Sequence, residues 1–96
     1  MAEAEPVALI DNGEVRVTEW RFQPGAATGP HRHGYDYVVV PITDGTLRLV
    51  TAGGEATAEL KKGVAYFRKA GVEHNVINAG AAYLAFVEIE LLEHPG

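Results

Sequence analysis

Cysteine is absent from the 96 residues, and histidine (four), methionine (one) and tryptophan (one) are scarce. Without a thiol there can be no disulfide, no thiolate metal ligand and no cysteine nucleophile, and the absence does not choose a compartment. Positive charge is also in short supply. Eight Lys and Arg against thirteen Asp and Glu leave a net charge of −5, and the basic residues are scattered, with Lys61-Lys62 and Arg68-Lys69 the only adjacent pairs. That distribution suits neither nucleic acid nor an anionic membrane. No apolar run approaches the length of a membrane span, and the opening "MAEAEPVALIDNG" has no basic flank of the signal-peptide type, so the cytoplasm is the expected compartment. A helical stripe is missing as well.

What is present is period two. Apolar residues alternate in "EVRVTEWRF", "TLRLV", "ATAEL", "VAYF" and "HNVIN", and turn signals such as Asp11-Asn12-Gly13, Pro24-Gly25, Asp44-Gly45, Gly53-Gly54 and Lys62-Gly63 separate the runs. The pattern predicts an all-β chain of eight or nine short strands, closed into a barrel or jelly roll to protect its edges. The alanine-rich start of "AGAAYLAFVEIELLEH" competes as a helix, but Tyr83, Phe86, Val87 and Ile89 favour a closing strand. Length permits one domain, 1–96, burying roughly 60–65 % of its unfolded surface. Residues 1–5 and 93–96, with His94, read as loose tails.

Two of the four histidines stand one residue apart in "GPHRHGYDYVVVPITDG". On an extended strand, residues i and i+2 project from one face, so His31 and His33 can meet a single metal ion. A bare H-x-H is a weak signal, and by spacing alone a solvated loop edge fits it better. His74, in "GVAYFRKAGVEHNVIN", starts another period-two run after a glycine turn and can supply a third ligand from a distant strand.

These stretches resemble the two motifs of the cupin family. In the first, Gly25 is followed after five residues by His31-Arg32-His33, after four more by Val38, and after six more by Gly45; the family carries glutamate where Val38 stands. In the second, Gly63, Gly71, His74 and Asn78 match in spacing, and Lys69 replaces a proline. The motifs cover 25–45 and 63–78. The resemblance implies a cupin-type jelly roll holding a divalent transition metal (Fe, Zn, Ni, Mn or Cu) on His31, His33 and His74. Without the glutamate the site would keep open positions, as in some cupin dioxygenases. If the loop after His33 is one residue shorter, Tyr37 takes the glutamate position instead of Val38; the six residues to Gly45 favour Val38.

Asp36 could restore the missing carboxylate, orient a histidine, or simply be solvated. Tyr35 and Tyr37 either line the pocket or pack at an edge, and with Asp36 they are the candidate catalytic residues. Tyr66 and Phe86, with Trp20 and Phe22, are core aromatics that could also wall a pocket. Arg48, Arg68 and Glu88 lie inside apolar strands whose parity leaves their direction open; an inward arginine would clamp a carboxylate. The resemblance implies a metal-dependent enzyme, dioxygenase-like or an isomerase/hydrolase, acting on a small organic acid or enolisable carbonyl compound. The alternative is a non-catalytic metal- or ligand-binding module. More loosely, "WRFQPGAATGPHRHGYDYVVVPITDGTLRL" is similar to small cupins associated with β-alanine degradation. The expected partners are a small anionic ligand and a second copy of the chain in a homodimer, with no nucleic acid and no membrane.

Overall fold

The computed structural model describes residues 2–95, with the side chains of 93–95 outside the described set. Nine strands follow one another: β1 (Glu5–Asp11), β2 (Val15–Phe22), β3 (His31–Arg32), β4 (Tyr35–Pro41), β5 (Gly45–Thr51), β6 (Gly54–Leu60), β7 (Tyr66–Arg68), β8 (Glu73–Asn78) and β9 (Leu84–Pro95). They form two sheets, β1-β2-β9-β4-β7 and β3-β8-β5-β6, with every strand pairing antiparallel. No helix occurs among the described residues, and hence none long and apolar enough to cross a membrane. The chain is all-β, as the period-two pattern predicts.

Local chemistry accounts for the turns. Asn12 closes the β1–β2 hairpin by accepting the Glu14 and Val15 amides on its side-chain oxygen, at 2.9 and 3.0 Å. Leu84 lies so close to Gly45 that a Cβ there would collide with its side chain, which explains why the last glycine of the first motif stands at the start of β5. The closing strand forms as expected from Leu84, and the competing helix does not: Asn78 draws Ala79–Tyr83 into a turn, donating to the carbonyls of Phe22, Gln23 and Ala82 and accepting from the Gly80 amide.

The core is asymmetric along the barrel. Phe22, Leu47, Leu60 and Leu84, all at most 2 % exposed, close one end. Phe86, 5.5 Å from Phe22 between ring centroids, carries the packing toward the middle. Beyond it the interior opens into a cavity. The N-terminal segment is not loose, contrary to expectation: Ala4 is buried, its amide donates to the Ala27 carbonyl at 2.9 Å, and β1 begins at Glu5. β9 runs to Pro95, while the side chain of His94 lies outside the described residues.

The outer face of the five-stranded sheet carries an apolar row. Alternation that turns Tyr37 and Val39 inward turns Val38 and Val40 outward, and register aligns Ile10, Val17, Ile89, Val38 and Phe67 across all five strands.

Asn78 ties three backbone segments together from a site only 2 % exposed. Asn78→Ala would leave several buried polar groups unpartnered, and a loss of about 2–4 kcal/mol is expected. Chemical denaturation of the variant checks this; an unchanged midpoint would contradict it.

Candidate metal centre

The shortest strand carries the site. β3 pairs with β8 so that His31 stands directly opposite His74. His33, just beyond β3, is held by its own backbone: its amide donates to the Val72 carbonyl and its carbonyl accepts the Gly71 amide, at 2.9 and 2.8 Å. Gly71 sits at φ 98°, a conformation that disfavours any side chain, so the second motif's glycine fixes the loop that places His74.

The three rings converge edge-on. His31 Nε2 lies 3.1 Å from His33 Nε2, which lies 3.0 Å from His74 Nε2. The inter-ring angles are 69–89°. His31 Nδ1 is 2.9 Å from the Gly29 carbonyl, which only accepts, so this nitrogen carries the proton and a neutral ring presents a bare lone pair at Nε2. Thr28, 3.2 Å from the same nitrogen, has its hydroxyl occupied by donation to Gly29 O. Burial, and then the charges of His31 and His74, push His33 down to about 4; burial, and then His31, push His74 down to about 4. Neutral imidazoles with lone pairs aimed at one point are the donor set of a divalent transition metal. The residues fit the ion.

Around the histidines the structure sorts the candidate residues. Tyr37 stacks on His33, ring centroids 4.0 Å apart and planes 18° off parallel, and of the two positions weighed for the family's glutamate it is the one that faces the cavity. Val38 does not: it pairs with Phe67 and Ile89 and its side chain leaves by the opposite face. The extra residue before Gly45 is absorbed later, where the Ile42 and Thr43 amides both donate to the Ala85 carbonyl. The expectation that Val38 faces the cavity is corrected accordingly. Asp36 also turns away. Its carboxylate accepts the Ala70 amide at 2.8 Å and lies 3.8 Å from Lys69 Nζ, so it ties down the loop after β7 and reaches no histidine. Tyr35 pairs with Pro95 beyond a register shift in β4 and is not among the residues lining the cavity. Arg48 is exposed and paired with Glu55 at 2.7 Å.

A cavity of about 350 Å³ adjoins the centre. Tyr37, Tyr66, Arg68, His74, Phe86 and Glu88 line it against walls of Val and Leu. His31 and His74 also border a shallower groove with Pro30 and Asn75. Glu88, buried 4.0 Å from His33 Nε2, is pushed up to about 7 by burial and then by the Glu90 charge, against a hydrogen bond from Trp20. Burial, and then Glu88, push Tyr37 up to about 12. Tyr66 is raised too, chiefly by burial. Sequence reasoning missed Thr28 and Gly29 as anchors of His31; a hydroxyl residue three positions before the first histidine was the available signal.

Residues 18–90 match the family model for the cupin domain. The chain belongs to the cupin family. It is 65 % identical over 89 residues to the β-alanine degradation protein BauB of Pseudomonas aeruginosa, covering 93 % of this cupin and 94 % of that protein. A cupin domain from Bordetella pertussis superposes with a TM-score of 0.91 at 56 % identity, covering 94 % of each chain. The polyketide cyclase RemF of Streptomyces resistomycificus shares the fold at 22 % identity and TM-score 0.73, over 99 % of this chain and 71 % of that one.

Metal uptake should need all three histidines. Alanine at His74 is expected to lower affinity by more than the roughly 10–100-fold typical of residues behind the ligands, read by competition with a chromogenic chelator. Because folded His33 and His74 titrate near 4 and free histidine near 6.5, the unfolded chain binds more protons between those values. Stability of the metal-free protein should therefore fall as pH falls through that window, with metal leaving toward its lower end. Full uptake by His74→Ala would contradict the assignment.

Proposed function

We propose that this cupin is a metal-dependent protein acting on a small organic acid or enolisable carbonyl compound, with His31, His33 and His74 as ligands of a divalent transition metal. The observation that carries the reading is the convergence of three histidines, with His33 Nε2 3.1 Å from His31 Nε2 and 3.0 Å from His74 Nε2, beside a cavity of about 350 Å³. When bound, the metal would supply Lewis acidity and an anchor for an oxygen or nitrogen donor of the ligand. The chain's own residues do the rest. Tyr37, stacked on His33, holds that ring in place and shields it from water, and its elevated pKa keeps it a neutral hydrogen-bond donor. Apolar walls from Val39, Leu49, Val76 and Phe86 exclude water from the reacting end. Glu88 holds a proton near neutral pH beside His33 and can exchange it with a ligand in the cavity. With no carboxylate on the β4 face of the centre, the ion's charge is left for an anionic ligand to balance. The likeness to the β-alanine degradation protein supports a short-chain acid as the substrate class and a place in the breakdown of β-alanine.

Titration of metal-loaded protein with three-carbon acids, 2-oxo acids and β-dicarbonyl compounds, with oxygen consumption followed in parallel, tests the reading. Binding with turnover is expected. Binding without turnover would favour the non-catalytic module, and failure of all these compounds to bind would remove the small-acid reading.

The assembly is proposed to be a homodimer through the apolar outer row Ile10, Val17, Ile89, Val38 and Phe67, which a second copy would cover. Light scattering should give about 21 kDa, twice the chain mass of 10.3 kDa, and Ile89→Lys should shift it toward monomer. A monomer at all micromolar concentrations would contradict the dimer.

A further inference from the structure

Four of the five arginines have a carboxylate partner within 4.0 Å: Arg16 with Asp11 and Glu90, Arg21 with Glu19 and Glu5, Arg32 with Glu73, and Arg48 with Glu55. Arg68 is the exception among the described side chains, and it alone of the five borders the cavity beside the histidines. Its register partner on β4 is the inward-facing Tyr37, which turns it to the same side of the sheet. The guanidinium lies 4.4 Å above the Tyr66 ring and donates to the Phe67 carbonyl at 3.0 Å. Stacking on Tyr66 fixes the plane of the group while leaving most of its five N–H donors unspent. A planar cation held in this way at the exposed edge of the cavity, with no counter-ion among the described side chains, is suited to a bidentate carboxylate.

Its position sets the direction in which a ligand lies. Arg68 is the cross-strand neighbour of Tyr37, and Tyr37 stacks on His33 at 4.0 Å, so the cation stands one side chain away from the histidine cluster. The other charged groups on the cavity wall are Glu55, already engaged by Arg48, and Glu88, 4.0 Å from His33. The cavity is therefore positive at the Arg68 end and carries a carboxyl group at the histidine end. A monocarboxylate whose far end is a hydroxyl, amine or carbonyl matches both ends.

We infer that Arg68 is the recognition residue for the substrate carboxylate, and that the protein takes a short-chain ω-functional monocarboxylate with its carboxylate on Arg68 and its second functional group at the histidine centre. This deepens, and rests on, the proposed small-acid function, but it assigns the carboxylate to the protein instead of to the metal.

The test compares 3-hydroxypropionate with its neutral amide, 3-hydroxypropionamide, by isothermal titration of wild type, Arg68→Met and Arg68→Lys, each metal-loaded and chelator-treated. Wild type should prefer the carboxylate by roughly 10–100-fold, the usual effect of a charge-assisted pair. Arg68→Met should bind the two probes alike, and Arg68→Lys, which keeps the charge without the fork, should recover part of the preference. Metal content should be the same in all three. Retained preference in Arg68→Met, absence of preference in wild type, or failure of the carboxylate to bind either form would overturn the inference. A chain that takes up no metal yet keeps an Arg68-dependent preference would overturn the histidine centre and leave the clamp standing.

Discussion

The rest of the site depends on the crowding of three imidazoles, with His33 Nε2 3.1 Å from His31 Nε2 and 3.0 Å from His74 Nε2. The Gly29 carbonyl commits the proton of His31 to Nδ1, so its Nε2 is a bare lone pair. His33 Nε2 contacts two neighbours and can carry at most one proton. A neutral His33 with its proton on Nε2 can donate to one neighbour and leaves the other contact unsatisfied, and burial opposes any added proton by lowering the basicity of His33 and His74. A divalent cation at the centre would satisfy all three rings. Much of the surrounding backbone serves this crowding: the β3–β8 register, the clamp of His33 on Gly71 and Val72, and the turn at Gly71 hold the rings where unaided they would separate.

The remainder of the cavity is organised by what that centre leaves uncompensated. Of the two β4 positions weighed for the family's glutamate, the inward one is Tyr37, so the β4 side contributes a neutral ring to the site. The nearby carboxyl group comes instead from β9, through Glu88, in an environment that makes its charge costly. Arg68, exposed on β7, borders the same cavity, and apolar residues make up most of the wall.

Period two and glycine-bounded turns made the nine-stranded architecture readable, because a half-buried strand must alternate. The histidines were readable for a different reason: two fixed spacings, each demanded by a turn or a close approach, converge on one site. Gly45 against Leu84 and Gly71 at positive φ are such demands. Val38 was misplaced because spacing records the number of residues and not where a strand absorbs an extra one; the shared Ala85 carbonyl near Ile42 and Thr43 takes it up after β4. Asp36 illustrates the same limit, since its attachment to the Ala70 amide, 34 positions away, leaves no mark in local sequence. The anchoring of Ala4 on Ala27 is equally non-local, which is why the N-terminus read as a tail. The directions of Arg68 and Glu88 depended on strand register, and register became visible only with the sheet assembled.

The central claim is that the histidine cluster is a cation site. Anomalous diffraction from crystals of protein purified without chelators or a metal-affinity column, collected on both sides of the absorption edge of whichever transition metal elemental analysis detects, tests it most directly. The account predicts one strong peak about 2.1 Å from the Nε2 atoms of His31, His33 and His74 alike. Fully loaded crystals with no peak there, or with the three rings drawn apart around an ordered water, would contradict it.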